Sequence, residues 1–286
     1  MPSIAVLTSG GDSPGMNAAV MSVARSAGMM GMDILGIRRG YNGLIGKSGS
    51  MDSDIVRLSL DQVLDIADLP GTYLRTARCP EFVQDEYQEK AAALLRELNV
   101  VGLVVIGGDG SLQGAQALAR KGIPTIGIPG TIDNDLGYTE LSLGFDTAVN
   151  VCVDAVRSIR ATSRSHDRAA VVEVMGRNCG DIALSTAQST GSEIVVVPEI
   201  QGWDVEDIAR RLAALVERGN QRATIVVAEG AYRTMAPFAP YEYLTSVGST
   251  KPVFPGQKMD ANLLAQVLEH KADHNGVRST VVGYTQ

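Results

Sequence analysis

The chain is predicted to be an α/β protein with doubly wound, mostly parallel sheets, and three observations lead there. Short apolar, β-branched runs alternate with longer stretches of helical period. The runs are continuously apolar, as strands covered on both faces must be. Glycine-rich segments follow the ends of those runs, where ligands bind in such sheets.

Taken in order, strand character falls at residues 4–8, 34–37, 103–106, 125–128, 170–174, 194–197, 224–228 and 280–282. Helical period falls between them, at residues 16–27, 87–98, 112–120, 147–160, 205–217 and 261–270. Apolar strands separated by amphipathic helices return the chain to the same sheet in parallel. The length fits two such sheets, with a boundary at residues 142–146 that separates domain 1–143 from domain 144–286. Residues 233–258, rich in Pro, Gly, Ser and Thr, read as a loop-like insertion.

Composition removes several function classes. The chain is 45% hydrophobic and 20% charged, as expected of a globular protein rather than a disordered one. A formal charge of −7 argues against nucleic-acid binding, which favours a basic face. No apolar stretch reaches the roughly 20 residues a membrane helix needs, and the opening MPSIAVLTSGGD has no basic leader. Cys79, Cys152 and Cys179 are odd in number and lack metal-type spacing, so reduced thiols in the cytoplasm are expected.

The segments at the carboxyl ends of the strands carry the chemistry. In TSGGDSPGMN, Gly10 and Gly11 let backbone amides approach a phosphate closely. VVIGGDGS repeats the device, with Asp109 between Gly108 and Gly110 and Ser111 behind. An acid beside a phosphate cradle makes sense if magnesium bridges the two, although Asp109 could equally cap a helix. In TIDND, Asp133 and Asp135 alternate with Ile132 and Asn134, so an extended backbone would point both carboxylates the same way. One could accept a proton from an attacking hydroxyl while the other helps hold magnesium; an Asx-type turn is the plainer alternative. Arg78, Arg168, Arg177 and Arg278 supply forked donors for phosphate oxygens, though singly each reads as a surface residue.

Together LTSGGDSPGMNAAV, GYNGL, TARCPEF, VVIGGDGS, IPGTIDND, VEVMGRNCGD and EIVVVPE resemble the 6-phosphofructokinases, in order, from Ile4 to Gln286. The resemblance implies two Rossmann-like domains of the phosphofructokinase fold. It also implies transfer of the γ-phosphate of ATP to the 1-hydroxyl of fructose 6-phosphate, with magnesium. By motif, Asp133 would be the general base, with Arg177 at the developing charge and Thr131 at the transferring phosphate or the sugar. Gly11, Tyr41 (beside the adenine), Arg78, Cys79, Gly108, Asp109, Gly110 and Ser111 would hold ATP, with Asp109 and Asp135 on the metal. Met175, Gly176, Arg177, Glu229 and Tyr284 would meet the sugar phosphate. Arg168 and Arg278 would arrive from a neighbouring subunit of a homotetramer.

Two glycines speak to the donor. Pyrophosphate-using relatives carry an aspartate where Gly110 stands and a lysine where Gly130 stands, so glycine at both favours ATP. The sequence also departs from the family. Tyr284 replaces the usual histidine, and the family's arginine-glycine-glycine segment and C-terminal helices have no counterpart before Gln286. Pro70 and Arg75 stand where a glycine and a small residue are usual, and Met21 replaces an effector-binding arginine. A pyrophosphate-dependent enzyme and a truncated, weakly active regulatory homologue are therefore the alternatives.

Overall fold

The computed structural model describes residues 2–47 and 54–286. The chain divides into two compact units. The first holds residues 1–132 and 136–145; the second holds residues 133–135 and 146–286. The three residues of the Asp-Asn-Asp stretch thus cluster with the second unit, although they lie within the sequence span of the first.

In the first unit, β1 (Ser3–Ser9), α1 (Met16–Met29), β2 (Asp33–Ile37), α2 (Tyr41–Ile45), β3 (Ile55–Arg57) and α3 (Leu60–Leu64) come first. A 3-10 turn (Pro80–Val83), α4 (Asp85–Glu97), β4 (Val100–Gly107), α5 (Asp109–Arg120), β5 (Thr125–Thr131) and β6 (Leu143–Gly144) follow. The sheet order is β3-β2-β1-β4-β5-β6, all parallel except β3 against β2. Along β1, Ala5 and Leu7 enter one core with Tyr41, Leu95 and Leu118. Val6 enters the other, with Met16, Val20 and Leu74. Burial on both faces is why the run is continuously apolar.

At β5 the expected two-sided cover is incomplete: Ile128 packs against the core with Met16 and Ile106, but the strand's start does not. Gly127 faces Leu112 of α5, whereas its neighbour Ile126 is 66% exposed. The strand also runs on through Pro129 and Gly130. Proline is tolerated there because β6 begins pairing only at Gly130.

The second unit continues with α6 (Phe145–His166), whose first residue belongs to the first unit, and then β7 (Ala169–Val174), α7 (Asp181–Thr190) and β8 (Ile194–Val196). After these come α8 (Val205–Glu217), β9 (Thr224–Ala228), α9 (Ala231–Thr234), α10 (Pro240–Ser246), α11 (Ala261–Lys271) and β10 (Val277–Val281). Its sheet is parallel in the order β10-β7-β9-β8. Asp204 and Asp260 cap α8 and α11, accepting the N–H groups of Glu206 at 3.0 Å and Leu263 at 2.8 Å.

The supposed loop at 233–258 contains α10, which starts at Pro240 with proline in its favoured first-turn position. It is fastened to the unit by Ala236 N–H on the Trp203 carbonyl at 2.8 Å and by packing of Phe238 and Tyr243. Strand β10 begins three residues before the expected 280, because an edge strand can carry the exposed Arg278 and the polar Ser279, whose hydroxyl bonds Asn262 Oδ1 at 2.6 Å.

Candidate active site

In the first unit the strand order reverses between β1 and β4, the place where such sheets bind ligands beyond their carboxyl ends. Those ends are the two glycine segments. Ser9 is in register with Gly107, and a Cβ on Gly107 would lie 2.4 Å from the Ser9 carbonyl oxygen and 2.6 Å from Ser111 Oγ. Only glycine lets the two strand ends come this close. Gly10 has φ 90°, its N–H donates to the Ala77 carbonyl at 3.4 Å, and its carbonyl accepts from Thr76 Oγ1 at 2.9 Å. Thr8 Oγ1 donates to the Arg75 carbonyl at 3.0 Å. The segment bearing Arg75, Arg78 and Cys79 is therefore tied across the end of β1, with both arginines exposed.

Asp109 opens α5 rather than capping it; Gly108 is the N-cap residue, and the exposed Asp109 carboxylate accepts from Gln113 Nε2 at 2.8 Å. Space beside Gly110 is open, and Thr131 lies 3.9 Å from where a Cβ on Gly108 would be. Gly11 is exposed. Tyr41, expected beside an adenine, lies in the core of the first unit. It is 3% exposed, stacked on Phe82 at 4.1 Å, and its hydroxyl donates to the Ser111 carbonyl at 2.6 Å. Its ring supports the 108–111 turn from within the core.

In the second unit the order reverses between β7 and β9. Beyond β7 lie Met175, Gly176 and Arg177; beyond β9 lie Glu229 and Gly230. Glu229 Oε1 accepts the Arg177 N–H at 2.9 Å, joining the two strand ends. Gly176 (φ 130°) is within 2.5 Å of the Cys179 carbonyl at its Cβ position, so no other residue fits. The Met175 N–H donates to Gln286 Oε1 at 2.8 Å.

Asp133 is 6% exposed, with Oδ2 4.0 Å from Arg177 Nε. The extended backbone expected through Asp133, Asn134 and Asp135 is interrupted at its middle residue. Asn134 takes a left-handed φ of 54°, which asparagine tolerates, and its Nδ2 donates to Asp181 Oδ2 at 3.0 Å. The turn buries Asp133 and leaves Asp135 exposed.

Burial pushes the Asp133 carboxyl up to about 6; Asp135 adds to the rise, Arg177 opposes it, and Glu229 adds slightly. At neutral pH the group is mostly ionised yet more basic than an ordinary carboxylate, which suits proton abstraction. In the ligand-free protein, carboxyl NMR titration should place Asp133 near 6. Asp135→Asn should bring that value down, and Arg177→Gln should push it up. An unperturbed value near 4 would contradict the burial argument.

Arg168 and Arg278 lie at the other end of the second sheet. Arg168 precedes β7, and Arg278, with Nη1 3.7 Å from Glu269 Oε2, is the second residue of β10. Six residues of strand separate Arg168 from Met175, a distance of about 23 Å at the rise of an extended strand. Tyr284 is fully exposed.

Residues 3–286 match the family model described as Phosphofructokinase. The chain belongs to the phosphofructokinase family. It is 52% identical over 230 residues to a protein of Alkaliphilus metalliredigens named ATP-dependent 6-phosphofructokinase, covering 80% of this chain and 70% of that one. A Clostridium tetani protein of the same name is 49% identical over 253 residues, covering 88% and 77%. The solved phosphofructokinase of Saccharomyces cerevisiae superposes with a TM-score of 0.81 at 29% identity. It covers all of this chain, which spans 38% of the yeast chain. A pyrophosphate-dependent phosphofructokinase from Marinobacter aquaeolei shares the fold, at 21% identity and a TM-score of 0.74.

The phosphofructokinase carboxylates suit magnesium by chemistry. Asp109 and Asp135 are exposed hard-oxygen donors, and the repulsion between Asp135 and Asp133 is what a divalent cation relieves. Among the described residues no group of three or more His, Cys, Asp or Glu forms a metal cage. Magnesium held by one or two carboxylates and substrate phosphates needs none. The sequence reading missed Glu199, which accepts the Gly180 N–H at 2.7 Å, and Arg233, whose Nη2 reaches the Arg177 carbonyl at 2.8 Å. The EIVVVPE motif contained the first; nothing in the insertion's composition marked the second.

Proposed function

We propose that this chain moves the γ-phosphate of ATP to the 1-hydroxyl of fructose 6-phosphate, giving fructose 1,6-bisphosphate and ADP. The observation that carries the reading is Asp133, a buried carboxylate of raised basicity beside a guanidinium. Asp133 takes the hydroxyl proton as that oxygen bonds to phosphorus and the bond to the ADP oxygen breaks. Arg177 meets the charge that builds on the phosphoryl oxygens. The glycine segments at β1 and β4 hold the donor, and Glu229 and the 175–177 segment hold the acceptor. Magnesium, when held by Asp109 and Asp135, supplies charge neutralisation at the phosphates.

ATP is favoured over pyrophosphate by the names of the bacterial relatives and by glycine at 110, where the space beside the backbone is open. An assembly of identical subunits is favoured by Arg168 and Arg278. Both stand at the sheet end opposite Arg177, so they serve a site on another copy, as the resemblance to homotetramers implies. A cytoplasmic setting fits a glycolytic reaction; among the described residues no helix is long and apolar enough to cross a membrane.

A coupled assay with fructose 6-phosphate should show turnover with ATP and little with pyrophosphate. Gly110→Asp should depress the ATP rate while leaving the fold intact, because the side chain enters open space. Turnover with pyrophosphate alone would overturn the donor assignment.

A further inference from the structure

We infer that Arg233 is the positioning residue for Arg177, an assignment that rests on the role proposed above for Arg177. Arg177 is held at a left-handed φ of 52°, which L residues with long side chains rarely adopt. Released from its surroundings, its backbone would return to negative φ and carry the guanidinium away from Asp133. Its N–H is fixed by Glu229 Oε1 at 2.9 Å. The other half of the clamp is Arg233, whose Nη2 donates to the Arg177 carbonyl at 2.8 Å and to Asn178 Oδ1 at 2.7 Å.

Gly230 presses the same carbonyl from the next strand end; a Cβ there would lie 1.9 Å from the Arg177 oxygen. Residues 229, 230 and 233 thus hold the two peptide groups on either side of the Arg177 Cα, the first by its N–H and the second by its carbonyl. A planar guanidinium can serve two acceptors at fixed angles, which an ammonium does less well.

Arg233 is itself anchored. It sits on α9, next to Thr234, whose carbonyl accepts the Gly202 N–H at 3.0 Å. Two residues on, the Ala236 N–H is bound to the Trp203 carbonyl at 2.8 Å. Further along the same segment Lys271 lies over the rings of Phe238 and Tyr243, at 5.4 and 4.2 Å. Arg233 is exposed, so it is not a core residue and its removal leaves no cavity. The segment that reads as an insertion therefore supplies a support for the active-site arginine.

The test compares Arg233→Ala, Arg233→Lys, Arg177→Gln and the Arg177→Gln/Arg233→Ala double variant in the full chain. Arg233→Ala should lower kcat about tenfold with the KM for ATP unchanged, and Arg233→Lys should recover part of the loss. In the Arg177→Gln background the second substitution should cost nothing further, since the two act as one unit. Amide hydrogen exchange at residues 175–180 should speed about tenfold in Arg233→Ala while β7 and β9 stay protected. An equal proportional loss in both backgrounds, or unchanged exchange at 175–180, would overturn the assignment. Should the parent chain show no fructose 6-phosphate turnover, the functional reading fails, and the exchange comparison alone decides Arg233. Arg233→Lys carries that comparison if the alanine variant does not fold.

Discussion

Asp133→Asn should lower kcat by a factor on the order of 10²–10⁴, the usual worth of a positioned general base, with the KM for fructose 6-phosphate changed far less. The amide preserves shape and can still hydrogen bond, but it cannot take the proton. The same substitution should stabilise the protein at pH 7–8. Asp133 has a folded-state pKa raised from 3.8 to about 6, so the native state binds more protons than the unfolded chain between those values. Folding therefore loses free energy as pH rises through that window, and the loss is complete above it. Asparagine removes the loss. The gain in Tm should be full at pH 7–8 and vanish below about pH 4, where both states of the parent are protonated. A variant that loses activity and stability together would mean the residue is structural.

Gly107→Ala should produce the largest defect in the nucleotide half. The added carbon would meet the Ser9 carbonyl oxygen at 2.4 Å and Ser111 Oγ at 2.6 Å. A backbone atom cannot move aside as a flexible side chain does, so the β1 and β4 ends must separate. Overpacking of this kind costs roughly 1–3 kcal/mol, a fall of several degrees in Tm for a chain of this size. Separation also misplaces the Gly10 and Gly108 amides, so the KM for ATP should rise with little change in the KM for fructose 6-phosphate. Gly110→Ala is the control for stability. Nothing lies within 4 Å of its Cβ position, and Tm should hold. Equal melting for parent and Gly107→Ala would contradict the close approach of the two strands.

Much of this was legible in the chain because the same physics writes both sequence and fold. Strands buried on two faces must be apolar throughout, so 4–8, 103–106, 170–174 and 224–228 announced themselves, and the residues following them form the candidate site. The helix Asp181–Thr190 was not visible, because its Ser and Thr residues weaken the helical pattern. Strand β10 was read late because edge positions admit Arg278 and Ser279. The left-handed turn at Asn134 is a three-dimensional choice that the alternation of residue types did not reveal. Tyr41 illustrates a further limit: the motif that contains it does not show that its ring stacks on Phe82 or that its hydroxyl bonds Ser111. Arg233 was hidden because its partner is a backbone carbonyl 56 residues away.

The most direct test of the central claim is a crystal structure with fructose 6-phosphate and a non-hydrolysable ATP analogue. The 1-hydroxyl oxygen should lie within about 3 Å of an Asp133 carboxylate oxygen, hydrogen-bond reach for a base, with Arg177 turned to the γ-phosphate. A 1-hydroxyl facing Glu229 or Asp135 instead, with Asp133 out of reach, would contradict the account.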